Sequence, residues 1–286
     1  VCTSFSEYDW TRNIVGDSGN IQLTYLLESG IDLHNYQPST KDILTISDCD
    51  LFIYVGGESD KWVSDTLGEA RNSDMKVISL MNVLGESVKE EEIKEGMQAE
   101  EDEHSDEPEY DEHVWLSVKN AELFCGSICE TLSDIDPENA DKYRTNLESY
   151  KAELSALDRE YQDMIDSKTE KTVLFGDRFP FRYLFDDYGI DYYAAFVGCS
   201  AETEASFNTI VTLADKVDEL GLDTVFVIEN SDTSIAEAII RNSKSKDQQI
   251  LTLNSIQSVS SEMIKDGATY ISLMEKNCET LGSVLK

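Results

Sequence analysis

Residues 136–167 read DPENADKYRTNLESYKAELSALDREYQDMIDS and carry one continuous helical pattern. Asp136 followed by Pro137 is a typical helix start, because Asp accepts hydrogen bonds from first-turn N–H groups and Pro suits the first helical position. Apolar residues then recur at spacings of three and four, at Ala140, Tyr143, Leu147, Tyr150, Leu154, Leu157, Tyr161 and Met164. At about 1.5 Å per residue, this helix would span roughly 45 Å. A coiled coil usually needs a partner, so we favour a stiff helix that joins two lobes.

Strand-like and helical segments alternate on both sides of this helix, which indicates parallel sheets. Before it, strands are predicted at 1–5, 21–27, 51–55 and 76–80. After it, strands are predicted at 172–175, 191–196, 224–229 and 250–253, with helices at 206–220, 234–242 and 260–281. The predicted fold class is α/β, with two lobes of parallel βα units joined by one long rigid helix. The predicted domains are an N-terminal lobe at 1–136, the linking helix at 137–167 and a C-terminal lobe at 168–286.

Acidic residues dominate the charge of the chain. Its 58 Asp and Glu residues outweigh 23 Lys and Arg residues, for a formal net charge of −35. Such a surface repels nucleic-acid phosphates and attracts cations, so nucleic acid is excluded as a partner. About a third of this charge falls in residues 86–112, where fourteen acids are opposed only by Lys89 and Lys94. We expect this acidic segment to stay unpacked and mobile.

The chemistry-bearing residues do not predict an enzyme. Histidine occurs only at positions 34, 104 and 113, and no nucleophile motif accompanies these residues. Gly56 and Gly57 follow a predicted strand, but no Lys-Ser/Thr pair follows them, so there is no phosphate-binding loop of the P-loop type. The six cysteines are too few for a disulfide scaffold, so we expect buried free thiols, with one disulfide as the alternative.

Two of the histidines lie where a parallel sheet places its ligands. His34 follows a predicted strand, in the segment DLHNYQPS, and His113 follows the acidic segment, in DEHVWLS. Ligands of open parallel sheets lie beyond the carboxyl ends of the strands. A neutral imidazole is a good zinc ligand, although a lone histidine can also be an ordinary hydrogen-bonded residue. His34 and His113 are therefore the first candidate metal ligands.

These two segments resemble the histidine motifs of the metal-binding receptors of ABC importers, a class of zinc and manganese receptors that includes related adhesin lipoproteins. The resemblance covers almost the whole chain, including DPENA at 136–140 and GCSAE at 198–202. The acidic segment with His104 is similar to the loop that marks zinc-type receptors, so His104 is expected to bind zinc transiently during capture. The resemblance implies an extracytoplasmic solute-binding protein that captures zinc in the inter-lobe cleft and delivers it to an ABC permease.

The sequence departs from this family where a third histidine and a carboxylate are implied. Gly176 stands in the position of the histidine, and Asp177 is the nearest carboxylate, with pairing to Arg178 or Arg182 as its alternative role. Gln257 stands where some zinc receptors carry an acid; it is a candidate ligand of weak zinc affinity, with hydrogen bonding in the cleft as its alternative role. Glu229 ends a predicted strand and is a candidate ligand or a hydrogen-bond acceptor for an imidazole N–H.

Two histidines with oxygen donors suit zinc, and they also suit manganese, because oxygen-rich sites favour that ion. A manganese receptor of the same family is therefore one alternative, and an adhesin or interaction lipoprotein with a structural metal site is another. We expect a monomer outside the cytoplasm, at the cell surface or in the periplasm. Its full-length form is expected to be held at the membrane by an N-terminal lipid anchor that this sequence does not include.

Overall fold

The computed structural model describes residues 1–18, 21–98, 109–200 and 204–286. The chain forms two compact units that interleave along the sequence. Unit 1 comprises Val1–Val88, Val114–Asp158 and Ile256–Leu273. Unit 2 comprises Lys89–His113, Arg159–Ser255 and Met274–Lys286. The predicted domains follow chain order, whereas the segments 89–113 and 256–273 each belong to the unit on the other side of the long helix.

The described residues contain eleven α-helices and six β-strands. The helices are α1 (Phe5–Val15), α2 (Thr40–Ser47), α3 (Trp62–Gly68), α4 (Leu80–Leu84), α5 (Val118–Ile135), α6 (Ala140–Asp166), α7 (Arg182–Tyr188), α8 (Phe207–Leu220), α9 (Ser234–Asn242), α10 (Ser261–Lys265) and α11 (Tyr270–Val284). The strands are β1 (Leu51–Tyr54), β2 (Lys76–Ser79), β3 (Thr172–Phe179), β4 (Asp191–Val197), β5 (Thr224–Ile228) and β6 (Gln249–Leu253). None of the described helices is long and apolar enough to cross a membrane.

The predicted long helix is present as α6, preceded by a single 3₁₀ turn at Pro137–Asn139. Asp136 is the residue before this turn, as predicted; its carboxylate accepts hydrogen bonds from Asn139 Nδ2 (2.8 Å) and Tyr143 Oη (2.7 Å). Residues 140–158 of α6 belong to unit 1 and residues 159–166 to unit 2.

Unit 1 contains the parallel strand pair β1–β2. The two strands predicted before it are reduced to single bridges, which Cys2 makes with Tyr25 and with Ile53. The cause is local, because α1 already begins at Phe5, where Ser4 and Glu7 form a capping box. The strand prediction for residues 1–5 and 21–27 is therefore wrong beyond these bridges.

Unit 2 contains a four-stranded parallel sheet in the order β4-β3-β5-β6. Strand β3 was predicted to end at Phe175 but continues to Phe179 through an irregularity in its pairing with β4. Phe175 pairs with Ala194 and Arg178 with Phe196, so two residues of β3 oppose one of β4, the arrangement of a β-bulge. The α/β fold with parallel sheets and a long helix is thus confirmed.

Residues 89–98 of the acidic segment belong to unit 2, and the prediction that the segment stays unpacked is wrong at Lys89, Lys94 and Gln98. Lys89 N donates a hydrogen bond to Tyr183 Oη (2.9 Å), and Gln98 N donates to Ala195 O (2.9 Å). The Lys94 ammonium lies 3.9 Å from the centroid of the Tyr192 ring. This cation–π contact could not be predicted from the net charge of the segment. His104 lies outside the described residues.

Candidate metal centre

The His113 side chain is fully buried in unit 2, and Asp111 orients it. Asp111 Oδ1 accepts hydrogen bonds from the His113 backbone N–H (2.8 Å) and from its ring nitrogen Nδ1 (2.9 Å). With the proton on Nδ1, the lone pair that can bind a metal is on Nε2. A carboxylate that fixes the tautomer in this way is the usual partner of a histidine that ligates a metal.

Cys199 lies beside this imidazole, just past the carboxyl end of β4. Its Sγ is within 4.8 Å of a ring nitrogen of His113. Gly198 makes the approach feasible, because a Cβ at that position would lie 2.8 Å from His113 Cε1 and 2.9 Å from Nδ1. Any larger residue would push the ring away from the turn that carries the thiol.

Carboxylates surround the imidazole and the thiol. Asp111 and Glu112 are buried, and the half-buried Glu91 accepts a hydrogen bond from Cys199 N at its Oε1 (3.3 Å). Burial acts to lower the pKa of His113, but the carboxylates of Asp111, Glu112 and Glu91 outweigh burial and raise that pKa. Burial, reinforced by the neighbouring Asp111, raises the pKa of Glu91. Crowded negative charge of this kind favours a bound cation.

His34 lies in unit 1, on a 3₁₀ turn formed by Leu33–Asn35. The turn begins at Asp32, whose Oδ1 accepts a hydrogen bond from His34 N (3.0 Å). The His34 ring nitrogen Nδ1 lies 2.6 Å from Ser59 Oγ, so a hydrogen bond orients this ring as well. When Nδ1 donates to Ser59 Oγ, the lone pair of this imidazole is on Nε2.

The carboxylates predicted as C-terminal ligands bind backbone and hydroxyl groups. Asp177 Oδ1 accepts from Arg178 N (2.8 Å), and its Oδ2 accepts from Ile228 N (3.2 Å). Glu229 accepts from the backbone N–H and the hydroxyl of Ser255, both at 2.7 Å, and so connects the ends of β5 and β6. Gln257 is buried in unit 1. Asp177 and Glu229 each hold neighbouring strands of the sheet together through these hydrogen bonds.

Gly176 occupies the position where the family resemblance implies a histidine, and the structure explains why no side chain stands there. A Cβ at Gly176 would lie 2.5 Å from Ala236 Cα and 2.8 Å from Ala236 N, inside the backbone of α9. Strand β3 and helix α9 pack too closely for any larger residue. The packing of β3 against α9 therefore excludes a side chain at position 176.

Gly176→Ala is expected to destabilise the metal-free protein by about 1–3 kcal/mol, because the added methyl group overpacks the contact between β3 and α9. Chemical denaturation followed by circular dichroism measures the shift. Gly126→Ala is the matched control: Gly126 lies within α5 with open space around it, so alanine should stabilise the helix by up to about 1 kcal/mol. If Gly176→Ala and the wild type unfolded at the same denaturant concentration, the close packing of β3 against α9 would be contradicted.

Sequence reasoning included Cys199 in a family-like segment but did not propose it as a ligand. The available signal was its position, since Cys199 follows a glycine at the end of a strand, where ligands of parallel sheets gather. All six cysteines lie in the described ranges and are free thiols; Cys49 and Cys199 are half-buried and the others are buried.

Relatives of the chain are named for zinc. A family model described as "Zinc-uptake complex component A periplasmic" matches residues 1–284. The zinc-binding lipoprotein AdcA of Streptococcus pneumoniae is 31% identical over 286 residues, 98% of this chain and 54% of the relative. The high-affinity zinc uptake system protein ZnuA of Bacillus subtilis is 27% identical over 98% of this chain and 85% of the relative. The chain spans about half the length of the streptococcal relatives it matches.

Solved structures of zinc-binding and metal-dependent proteins share the fold of this chain. The Zn(II)-bound ZnuA-like domain of Streptococcus pneumoniae AdcA is 26% identical, with a TM-score of 0.76 over 99% of this chain and 97% of the domain. The metal-dependent lipoprotein YcdH of Bacillus subtilis, at 24% identity and a TM-score of 0.79, shares the fold. The fold and the family model together give the class of protein, that of zinc-uptake components. Within that class, the chain belongs to the ZnuA family of zinc-uptake components, which confirms the resemblance seen in its histidine motifs.

Proposed function

We propose that this protein is the extracytoplasmic receptor of an ABC-type zinc importer, which binds Zn²⁺ as cargo and passes it to a membrane permease. The observation that carries the proposal is the buried His113 imidazole, whose Nδ1 is held by Asp111 so that Nε2 can bind a metal. The names of the relatives, which include a zinc uptake system protein and a zinc-binding lipoprotein, support zinc as the cargo.

His34 is proposed as the second imidazole ligand of the same ion. Its ring is oriented through Nδ1 by Ser59, as the His113 ring is by Asp111. Imidazole nitrogens bind zinc at about 2.0–2.1 Å and suit it better than they suit manganese, which prefers oxygen donors. Zinc is therefore favoured over manganese. The lipid anchor, the monomeric state and the extracytoplasmic location are proposed with this function.

Zinc titration by isothermal calorimetry is the direct test of this function. The wild type is expected to bind one zinc ion per chain, and His34→Ala should weaken binding roughly hundredfold, because one ligand of about four is lost. His104→Ala is the matched control and is expected to keep the wild-type affinity while slowing metal capture. A wild type that binds no zinc would refute the proposal and leave the adhesin alternative. Loss of tight binding in His104→Ala would instead place that residue in the primary site.

A further inference from the structure

The surroundings of Cys199 contain features that the two-histidine site does not use. Its Sγ and the His113 ring nitrogen lie within 4.8 Å of each other. On a tetrahedral zinc, a sulfur at about 2.3 Å and a nitrogen at about 2.0–2.1 Å lie about 3.6 Å apart. A side-chain movement of about 1 Å thus brings both atoms to ligand distance. Since Gly198 accommodates the ring, the turn after β4 is shaped to hold the thiol against the imidazole.

The charges around this pair point independently to a cation. Glu91 Oε1 accepts a hydrogen bond from Cys199 N (3.3 Å), and Asp111 Oδ1 accepts one from His113 Nδ1 (2.9 Å), so two carboxylates contact this pair. Among the described residues, Asp111 Oδ2 is fully buried and accepts no hydrogen bond, although Oδ1 binds His113. A buried carboxylate oxygen without a partner costs about 1–3 kcal/mol or more, and a nearby divalent cation offsets that cost.

The two carboxylates predicted as C-terminal ligands, Asp177 and Glu229, accept hydrogen bonds from other groups of the protein. Both oxygens of Asp177 accept backbone N–H groups, and both oxygens of Glu229 accept hydrogen bonds from Ser255. Gly176 cannot carry a side chain in this packing. Cys199 is left as a donor that belongs to the same unit as His113 and lies next to it.

We propose that Cys199 is a zinc ligand, binding as a thiolate to the same ion as His113, in place of the histidine that the family resemblance implied at Gly176. The thiol proton passes to solvent as the sulfur–zinc bond forms, so charge and atoms balance. This inference rests on the proposed function and deepens it. A thiolate is a soft ligand that favours zinc over manganese, so Cys199 determines which metal the receptor takes.

Cobalt(II) substitution tests the ligand directly, because a thiolate bound to Co²⁺ gives a near-ultraviolet sulfur-to-cobalt charge-transfer band. The wild type is expected to show this band with one cobalt per chain, and Cys199→Ser should lose it. Calorimetry should show zinc affinity reduced about tenfold to hundredfold in Cys199→Ser, with the ratio of zinc to manganese affinity reduced as well. Cys49→Ser, which alters the other half-buried thiol, is the matched control and should retain both the band and the affinity.

The outcomes separate the two proposals. If the wild type binds zinc tightly but shows no charge-transfer band, Cys199 is not a ligand and the receptor function stands. Equal zinc affinity in Cys199→Ser and the wild type leads to the same conclusion. If the wild type binds neither zinc nor cobalt, the receptor function itself fails. Should Cys199→Ser not fold, the band in the wild type and in Cys49→Ser still decides, because it requires a thiolate at the metal.

Discussion

Replacing His113 with alanine is expected to weaken zinc binding by at least about a hundredfold. Zinc binding to a four-ligand site is worth about 10–16 kcal/mol, so each ligand accounts for about 3 kcal/mol, and 1.4 kcal/mol corresponds to a factor of ten. Loss of the His113 side chain should cost more binding free energy than this average. Its removal also leaves the buried Asp111 carboxylate without the ring that it binds, in a place that water reaches poorly.

Calorimetric titration with zinc measures this loss, and Asp111→Asn provides a graded comparison. The asparagine keeps the shape of the side chain and can still accept a hydrogen bond from Nδ1, but it lacks the charge that favours the metal-bound imidazole. Changes in groups that orient a ligand typically cost about 10–100-fold in metal affinity, so Asp111→Asn should fall between the wild type and His113→Ala. Circular dichroism of both metal-free variants separates a ligand effect from unfolding. Wild-type affinity in a folded His113→Ala would exclude His113 as a ligand.

The parts of the fold that periodicity determines were predictable from the sequence. The apolar stripe of α6 and the strands of unit 2 depend on local patterns, and the structure retains them. Two features depended on information that no hydrophobic pattern contains. The capping box of Ser4 and Glu7 converts the end of a predicted strand into helix α1. The bulge at Gly176 and Asp177 carries β3 onward past residues that resemble a turn.

The candidate site likewise contains residues that the sequence predicts and residues that it does not. His34 and His113 could be proposed as metal ligands from the sequence because histidine is scarce and both residues follow strand or loop ends. Cys199 could not, because its proximity to His113 depends on the missing side chain at Gly198 and on the packing of the acidic segment within unit 2. Asp177 is predicted as a ligand from its place in the sequence, and in the structure its two carboxylate oxygens accept hydrogen bonds from Arg178 N and from Ile228 N of β5. Sequence shows which donors exist, whereas packing decides how they are used.

Zinc affinity is expected to fall steeply as the pH falls, and two groups set the steepness. A metal binds the neutral imidazole and the thiolate, so every bound proton must leave first. Carboxylates raise the pKa of His113 even though burial acts to lower it, so protons begin to compete above the usual histidine value of about 6.5. Burial raises the pKa of Cys199 well above its usual value, so the thiol holds its proton throughout the neutral range.

The direction and the size of this pH dependence follow from the protons that zinc displaces from His113 and Cys199. Each proton that zinc displaces lowers the observed affinity about tenfold for every pH unit below the pKa of its group. Above the raised pKa of His113 the thiol alone contributes about tenfold per pH unit, and below it the two groups together contribute about a hundredfold per unit. Calorimetry at several pH values gives the slope, and Cys199→Ser should reduce it by one proton at every pH. An affinity that stays constant from about pH 8 to 6 would show that neither group loses a proton to zinc.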